Sequence, residues 1–152
     1  MDEADAQVYE KYADELIRFA TALTGPSMAE DVLSDAMLRV FASPSWKAVK
    51  NKRAYLHRAV LNEALQARRS IDRRLRREQL AAGRPPSESS FADRLELLDA
   101  LRRLSMRQRA VVYLTYWIGL DASEIARALD ISLRTVEREL SASRRRLEVL
   151  LR

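Results

Sequence analysis

The chain has 152 residues, with 27 Lys and Arg against 22 Asp and Glu, one His, no Cys, 3 Gly and 4 Pro. That length allows one domain or two small ones and excludes a large multidomain enzyme. The lack of cysteine excludes a disulfide framework, a thiol nucleophile and Cys-ligated zinc, and three glycines without a G-x-x-x-x-G-K or G-x-G-x-x-G string exclude a glycine-rich phosphate cradle.

The acidic N-terminus, MDEADAQVYE, has no basic stretch followed by an apolar run, so no secretory signal is read and the cytoplasm is the expected compartment. Apolar residues then recur at three- and four-residue spacing over most of the chain, with no sustained alternation, which predicts an all-α fold. Val8, Tyr12, Leu16, Phe19 and Leu23 form a first stripe ended by Gly25-Pro26. A second helix is predicted from Met28 to Phe41, with Val32, Leu33, Ala36, Leu38 and Val40 apolar, broken by Ser43-Pro44-Ser45-Trp46. A third takes up near Lys52 and continues through the arginine run, because Arg, Leu, Gln and Ala are good helix formers. His57 reads as a helix-surface or core imidazole. Ala82 to Ser90, AGRPPSESS, lacks periodicity and concentrates Gly, Pro and Ser, which marks a linker. The expected organisation is a helical domain over 1–80, a linker over 81–91 and a second helical domain over 92–152.

In the second half, Phe91 to Leu104 is predicted as a short helix, and Ser105 with Gln108 forms a capping box for the next. Ala110 to Leu120, AVVYLTYWIGL, is the longest apolar run, and at 11 residues it is too short to insert across a membrane. Asp121 and Glu124 repeat the capping pattern. Ile125, Ala126 and Leu129 give one short helix a buried face, Asp130-Ile131-Ser132 makes a tight turn, and Val136, Leu140 and Leu147 give the following helix its own. This is helix-turn-helix spacing. Asp130 stands where glycine is common and tolerates positive φ better than most residues, and Ser132 is placed to cap the second helix. At 100° per residue Arg134, Arg138 and Arg145 fall opposite Val136, so the outer face is basic, as a helix in a DNA groove requires. Glu137 and Glu139 flank that face, and Glu137 either accepts from a cytosine amino group or, the favoured reading, pairs with a neighbouring arginine.

The modest net charge of +5 conceals four unlike blocks. Residues 1–46 carry −6, residues 47–77 carry +9, residues 78–101 carry −3 and residues 102–152 carry +5. Two separate basic zones imply two contacts with a polyanion, each neutralised phosphate releasing counterions. No carboxylate pair, metal-ligand spacing or nucleophile motif stands out, so no cofactor, no metal and no enzymatic chemistry are expected.

The acidic helix AEDVLSDAMLRVF, the loop with Trp46, the segment KRAYLHRAVLN and the C-terminal helix-turn-helix together resemble the extracytoplasmic-function branch of bacterial RNA polymerase sigma factors. Such proteins consist of little more than sigma domains two and four. The resemblance implies that the chain binds core RNA polymerase, directs it to promoters and helps melt them, with promoter DNA contacted both as duplex and as unpaired strand. It assigns polymerase binding to Glu30, Asp31 and Asp35 through charge and to Leu33, Leu38 and Phe41 through apolar contact or local core. Melting and minus-ten recognition fall to a cationic track of Lys52, Arg53, Arg58, Arg68 and Arg69, to Trp46 and Tyr55 as stacking candidates, and to Asn62 near a flipped base. Tyr55 is open to a core reading as well. Where many relatives have Arg-Asn followed by Asp, this chain has Leu61-Asn62 with Gln66 four residues on. Minus thirty-five recognition falls to Ser132, Arg134, Thr135, Arg138 and Arg145. The string TVERE from Thr135 departs from the commoner form with Lys after Val. An anti-sigma factor is a common partner in the family. The rival readings are a helix-turn-helix activator or repressor without sigma activity, and a sigma-like adaptor that binds polymerase without initiating.

Overall fold

The computed structural model describes residues 2–82 and 97–151. Among them every regular element is helical: α1 Glu3–Thr24, α2 Pro26–Ala42, a single 3₁₀ turn Trp46–Ala48, α3 Lys52–Ala82, α4 Leu97–Arg102, α5 Met106–Tyr113, a π turn Leu114–Ile118, α6 Ala122–Leu129 and α7 Leu133–Leu150. The predicted linker lies mostly outside the described residues, as do positions 91–96 of the predicted helix from Phe91. Residues 81 and 82 continue α3 instead of opening the linker.

Local chemistry explains where the first helices begin and end. The Asp2 carboxylate caps α1 by accepting from the Asp5 amide at 2.8 Å. Gly25, at φ 87°, ends α1, and Pro26 opens α2 two residues before the predicted start. Proline is at home there, because the amide it lacks would have had no acceptor in the first turn. Leu16, Phe19 and Leu23 of α1, Val32, Ala36 and Val40 of α2, and Leu56, Val60 and Ala64 of α3 are all buried and form the centre of a three-helix unit.

In the second half both expected capping boxes are present. Ser105 accepts from the Gln108 amide at 3.1 Å and Asp121 from the Glu124 amide at 2.8 Å, with the reciprocal bonds in place. Asp130 ends α6 in the left-handed region, φ 55° and ψ 49°, and Ser132 caps α7 by accepting from the Thr135 amide at 3.0 Å. A left-handed conformation costs an ordinary L-residue about 1–2 kcal/mol. The Asp130 side chain is 80% exposed and only within 4.0 Å of Arg58, so little offsets that cost. Asp130→Gly is therefore expected to stabilise the chain by about 0.5–1 kcal/mol, raising Tm by roughly 2–3 °C. A thermal melt checks this, and an unchanged or lower Tm would show that the pair with Arg58 outweighs the backbone relief.

The two expected helical units are present, and they are packed on one another. Met106, Ala110, Val111 and Leu114 join the same continuous core as α1–α3, as do Ile125, Leu129 and Val136. Phe19 of α1 meets Tyr113 of α5 with ring centroids 5.8 Å apart.

Candidate polymerase and nucleic-acid interface

The exposed face of α2 is acidic. Glu30, Asp31 and Asp35 point to solvent, together with Leu38, an apolar side chain left 70% exposed. Phe41 is half-buried, edge-on to Trp46 at 5.4 Å. Leu33 does not share this face. It is 4% exposed and turned inward beside Ala36, Met37 and Val40, which places it in the local-core role, one of the two expected for it.

The 3₁₀ turn between α2 and α3 corrects an expectation. Trp46 is not an open stacking surface but the largest fully buried side chain, and its indole Nε1 donates to Asp5 Oδ1 at 2.7 Å. Lys52 sits over the indole with Nζ 4.0 Å from the ring centroid and donates to the Trp46 carbonyl at 2.5 Å. Arg53 is turned back to Glu15, its Nε donating to Oε2 at 3.0 Å. Tyr55 is half-buried, 5.8 Å from the Trp46 ring. His57 is core, its Nδ1 2.8 Å from the Arg53 carbonyl oxygen, and burial holds its pKa below the ordinary imidazole value. A histidine Nδ1 facing a carbonyl must be the protonated nitrogen, so it donates there. Farther along α3, Asn62, Arg68 and Arg69 are exposed.

On α7 the order of inner and outer residues follows the predicted wheel. Val136 and Ser143 are buried, and Arg134, Arg138 and Arg145 are exposed. Ser132 and Thr135 share a hydroxyl–hydroxyl hydrogen bond of 2.7 Å at the start of the helix. The arginine pair that forms is Arg138 with Glu139, at 4.0 Å; Glu137 has no ion pair among the described residues. Arg144 instead donates to the Tyr116 hydroxyl at 2.8 Å.

Two arginines link the units in a reciprocal way. Arg58 of α3 donates to the carbonyls of Arg127 and Ala128, at 3.1 and 3.3 Å, in the last turn of α6. Arg109 of α5 donates to the carbonyl of Leu23 in the last turn of α1, and also to those of Leu101, Arg102 and Leu104. Each unit thus sends a guanidinium to a helix C-terminus of the other, where orphan carbonyls and the negative end of the helix dipole favour a cation. Sequence reasoning missed Arg109, which is 4% exposed. The signal was its place on the inward stripe of a capped helix, at i+3 from Met106 and i−4 from Tyr113. Beside it, Ile17, Arg18, Arg68, Met106, Tyr113 and Trp117 line a groove of about 850 Å³ between the units.

Comparison with known proteins decides the family. Residues 8–74 match the family described as Sigma-70 region 2, and residues 94–147 match Sigma-70, region 4. The ECF RNA polymerase sigma factor SigL of Mycobacterium tuberculosis is 33% identical over 153 residues, which span 95% of this chain and 86% of that protein. The chain belongs to the ECF sigma factors. The RNA polymerase sigma-E factor of Streptomyces avermitilis is 35% identical to it over 142 residues, 88% of this chain and 77% of the relative. The fold of this sigma factor is that of RpoE from Bartonella quintana, solved with the anti-sigma factor NepR, at a TM-score of 0.70, 22% identity and coverage of 98% and 97%. It is also that of CnrH, solved with the cytosolic domain of CnrY, at 0.62, 24% identity and coverage of 97% and 86%. As a sigma factor the chain directs promoter-specific transcription initiation, and the helix-turn-helix regulator reading is not favoured. No described helix is long and apolar enough to cross a membrane.

Proposed function

We propose that residues 1–80 bind core RNA polymerase through the acidic face of α2 and the minus-ten region through α3, while residues 92–152 read the minus thirty-five element through α7. The supporting observation is the separation of three exposed surfaces on three helices. Glu30, Asp31, Asp35 and Leu38 offer negative charge around one apolar side chain, which suits docking onto a partner helix. Asn62, Arg68 and Arg69 on α3 and Arg134, Arg138 and Arg145 on α7 offer cations and amide groups to DNA. Trp46 and Leu33 serve by holding these faces in place from within. The protein acts in the cytoplasm and supplies no bond-making chemistry of its own. An anti-sigma factor completes the partner set; the two similar solved structures were each determined with a protein partner, NepR for RpoE and CnrY for CnrH.

Geometry adds a requirement to this reading. Elements centred near minus ten and minus thirty-five lie about 25 base pairs apart, roughly 85 Å of duplex at 3.4 Å per pair. Here Arg58 lies within 4.0 Å of Asp130, and only three residues, at most about 15 Å of backbone, separate Asp130 from Arg134. The packed form cannot touch both elements at once. Reading a promoter requires the units to separate, which frees Arg58 from the α6 carbonyls.

Run-off transcription with purified core polymerase and a promoter library tests the assignment. Specific initiation that depends on the chain is expected, and Arg134→Ala or Arg138→Ala is expected to reduce it about 10-fold or more, the worth of one bidentate base contact, with core binding unchanged. Absence of specific initiation together with dimeric binding to duplex DNA would favour the regulator reading.

A further inference from the structure

The groove between the two units has an apolar floor and a cationic border. Its volume of about 850 Å³ falls in the range of about 300–1,000 Å³ that holds a small organic ligand. Ile17, Leu23 and Met28 line it from the first unit, and Met106, Tyr113 and Trp117 from the second. The Tyr113 and Trp117 rings stack at 7° with centroids 5.6 Å apart, and Trp117 is 51% exposed, a large apolar ring left half open. Four guanidiniums border this floor, those of Arg18, Arg68, Arg102 and Arg109, against one carboxylate, that of Asp72. Arg109 is spent on carbonyls, which carry no net charge, and Arg102 pairs with Asp99 at 3.6 Å. Arg18 and Arg68 are exposed and have no ion pair among the described residues. After burial, repulsion from Arg68 and Arg102 lowers the Arg109 pKa, the mark of a positive potential that Asp72 does not cancel. Uncharged donors are scarce, because the hydroxyls of Thr21 and Thr24 already donate to the carbonyls of Ile17 and Ala20, at 2.7 and 2.8 Å.

We propose that this groove binds a fatty-acid anion, its acyl chain on the apolar floor and its carboxylate on the Arg18 and Arg68 guanidiniums. Each methylene that the floor takes from water tightens binding about fourfold. An ionised carboxylate is an acceptor alone, so guanidiniums satisfy it without further donors. A sugar or a nucleobase would bring polar groups that the floor cannot meet, and an uncharged lipid would leave the positive potential unanswered. Unbranched methionines at 28 and 106 adapt their shape to a flexible chain. Because the walls come from both units, the ligand binds the packed form and holds the units together. Binding stands apart from the promoter reading above, and only the effect on initiation rests on it.

The test titrates the full chain with laurate below its micelle concentration, by calorimetry and by quenching with laurate brominated at its terminal carbon. One laurate per chain is expected, with octanoate, four methylenes shorter, roughly 200-fold weaker. Bromine is expected to quench tryptophan emission, and the quenching is expected to vanish in Trp117→Phe. Dodecanol, without the charge, and dodecyltrimethylammonium, with the opposite one, are expected to bind at least about tenfold more weakly than laurate. Arg18→Gln/Arg68→Gln, its fold verified by circular dichroism, is expected to lose about tenfold in laurate affinity and none for dodecanol. Laurate and dodecanol binding alike, several laurates per chain, or equal laurate affinity in the double variant would each overturn the proposal. A ligand-free dimer that shields Trp117 from acrylamide would overturn it too, giving the groove to a second copy. In run-off transcription, laurate at ten times its Kd is expected to reduce initiation about tenfold, with core polymerase carrying a different sigma factor as the control for detergent action. A chain that initiates equally well with laurate bound would overturn the holding of the units, whereas one that initiates on no template without laurate condemns the promoter reading alone.

Discussion

Arg109→Ala is expected to lower the unfolding free energy by about 3–5 kcal/mol and Tm by roughly 10 °C or more. The wild-type guanidinium is 4% exposed and donates to four carbonyls, those of Leu23, Leu101, Arg102 and Leu104. Burial, with Arg68 and Arg102 nearby, pushes its pKa down to about 10, so it remains charged at neutral pH. Truncation leaves buried acceptors without donors, each costing about 1–3 kcal/mol where water cannot enter. Lysine is expected to recover only part of the loss, because one ammonium cannot reproduce a planar fork aimed at several acceptors. Urea unfolding of the three proteins checks this. An alanine variant melting within 2 °C of the parent would show that the carbonyls find other partners.

Trp46→Ala is expected to cost about 3–5 kcal/mol, the usual range for removing a large buried aromatic side chain. The loss reaches beyond one cavity, because Trp46 ties three segments together. Its ring packs against Phe41 and Tyr55 and under Lys52, and its Nε1 donates to Asp5 at the start of α1. A Trp117→Phe background leaves Trp46 as the sole indole, whose emission should be blue-shifted and poorly quenched by acrylamide. The hydrogen bond from Trp46, then that from Lys47, holds the Asp5 pKa below the ordinary carboxylate value of 3.8. A group depressed on folding contributes stability that is present above its unfolded pKa and lost as pH falls through its folded one. The Trp46 emission should therefore hold down to about pH 4 and shift red only below it. A red shift beginning near pH 6, or an emission that is already solvent-like at pH 7, would contradict the buried pair.

The sequence carried most of the helices and the caps of those in the second half, but not the caps that Asp2 and Asn51 supply to α1 and α3. Ser105, Asp121, Asp130 and Ser132 act over three or four residues, and a local hydrogen bond can be read from local spacing. The outer face of α7 was legible for the same reason, since helical periodicity fixes which side a residue takes. Trp46 was misread because its burial depends on Asp5, 41 residues earlier, and no local pattern reports such a partner. Leu33 lay on a helix whose apolar residues cover more than one side, so periodicity alone did not separate core from contact. The packing of the two units was illegible because Arg58 and Arg109 look like surface cations until the helix ends that receive them are in place.

The shared core and the two crossed arginines have an energetic reach beyond the residues that form them. If polymerase and promoter bind only the separated units, the affinity measured for either is the intrinsic affinity multiplied by the separated fraction, and each 1.4 kcal/mol that favours the packed form weakens it tenfold. A substitution at the Arg58–Ala128 or Phe19–Tyr113 contact, far from the acidic face of α2, then alters polymerase binding without touching polymerase. Its two effects have opposite signs: the variant that melts earlier is the one that loads more readily.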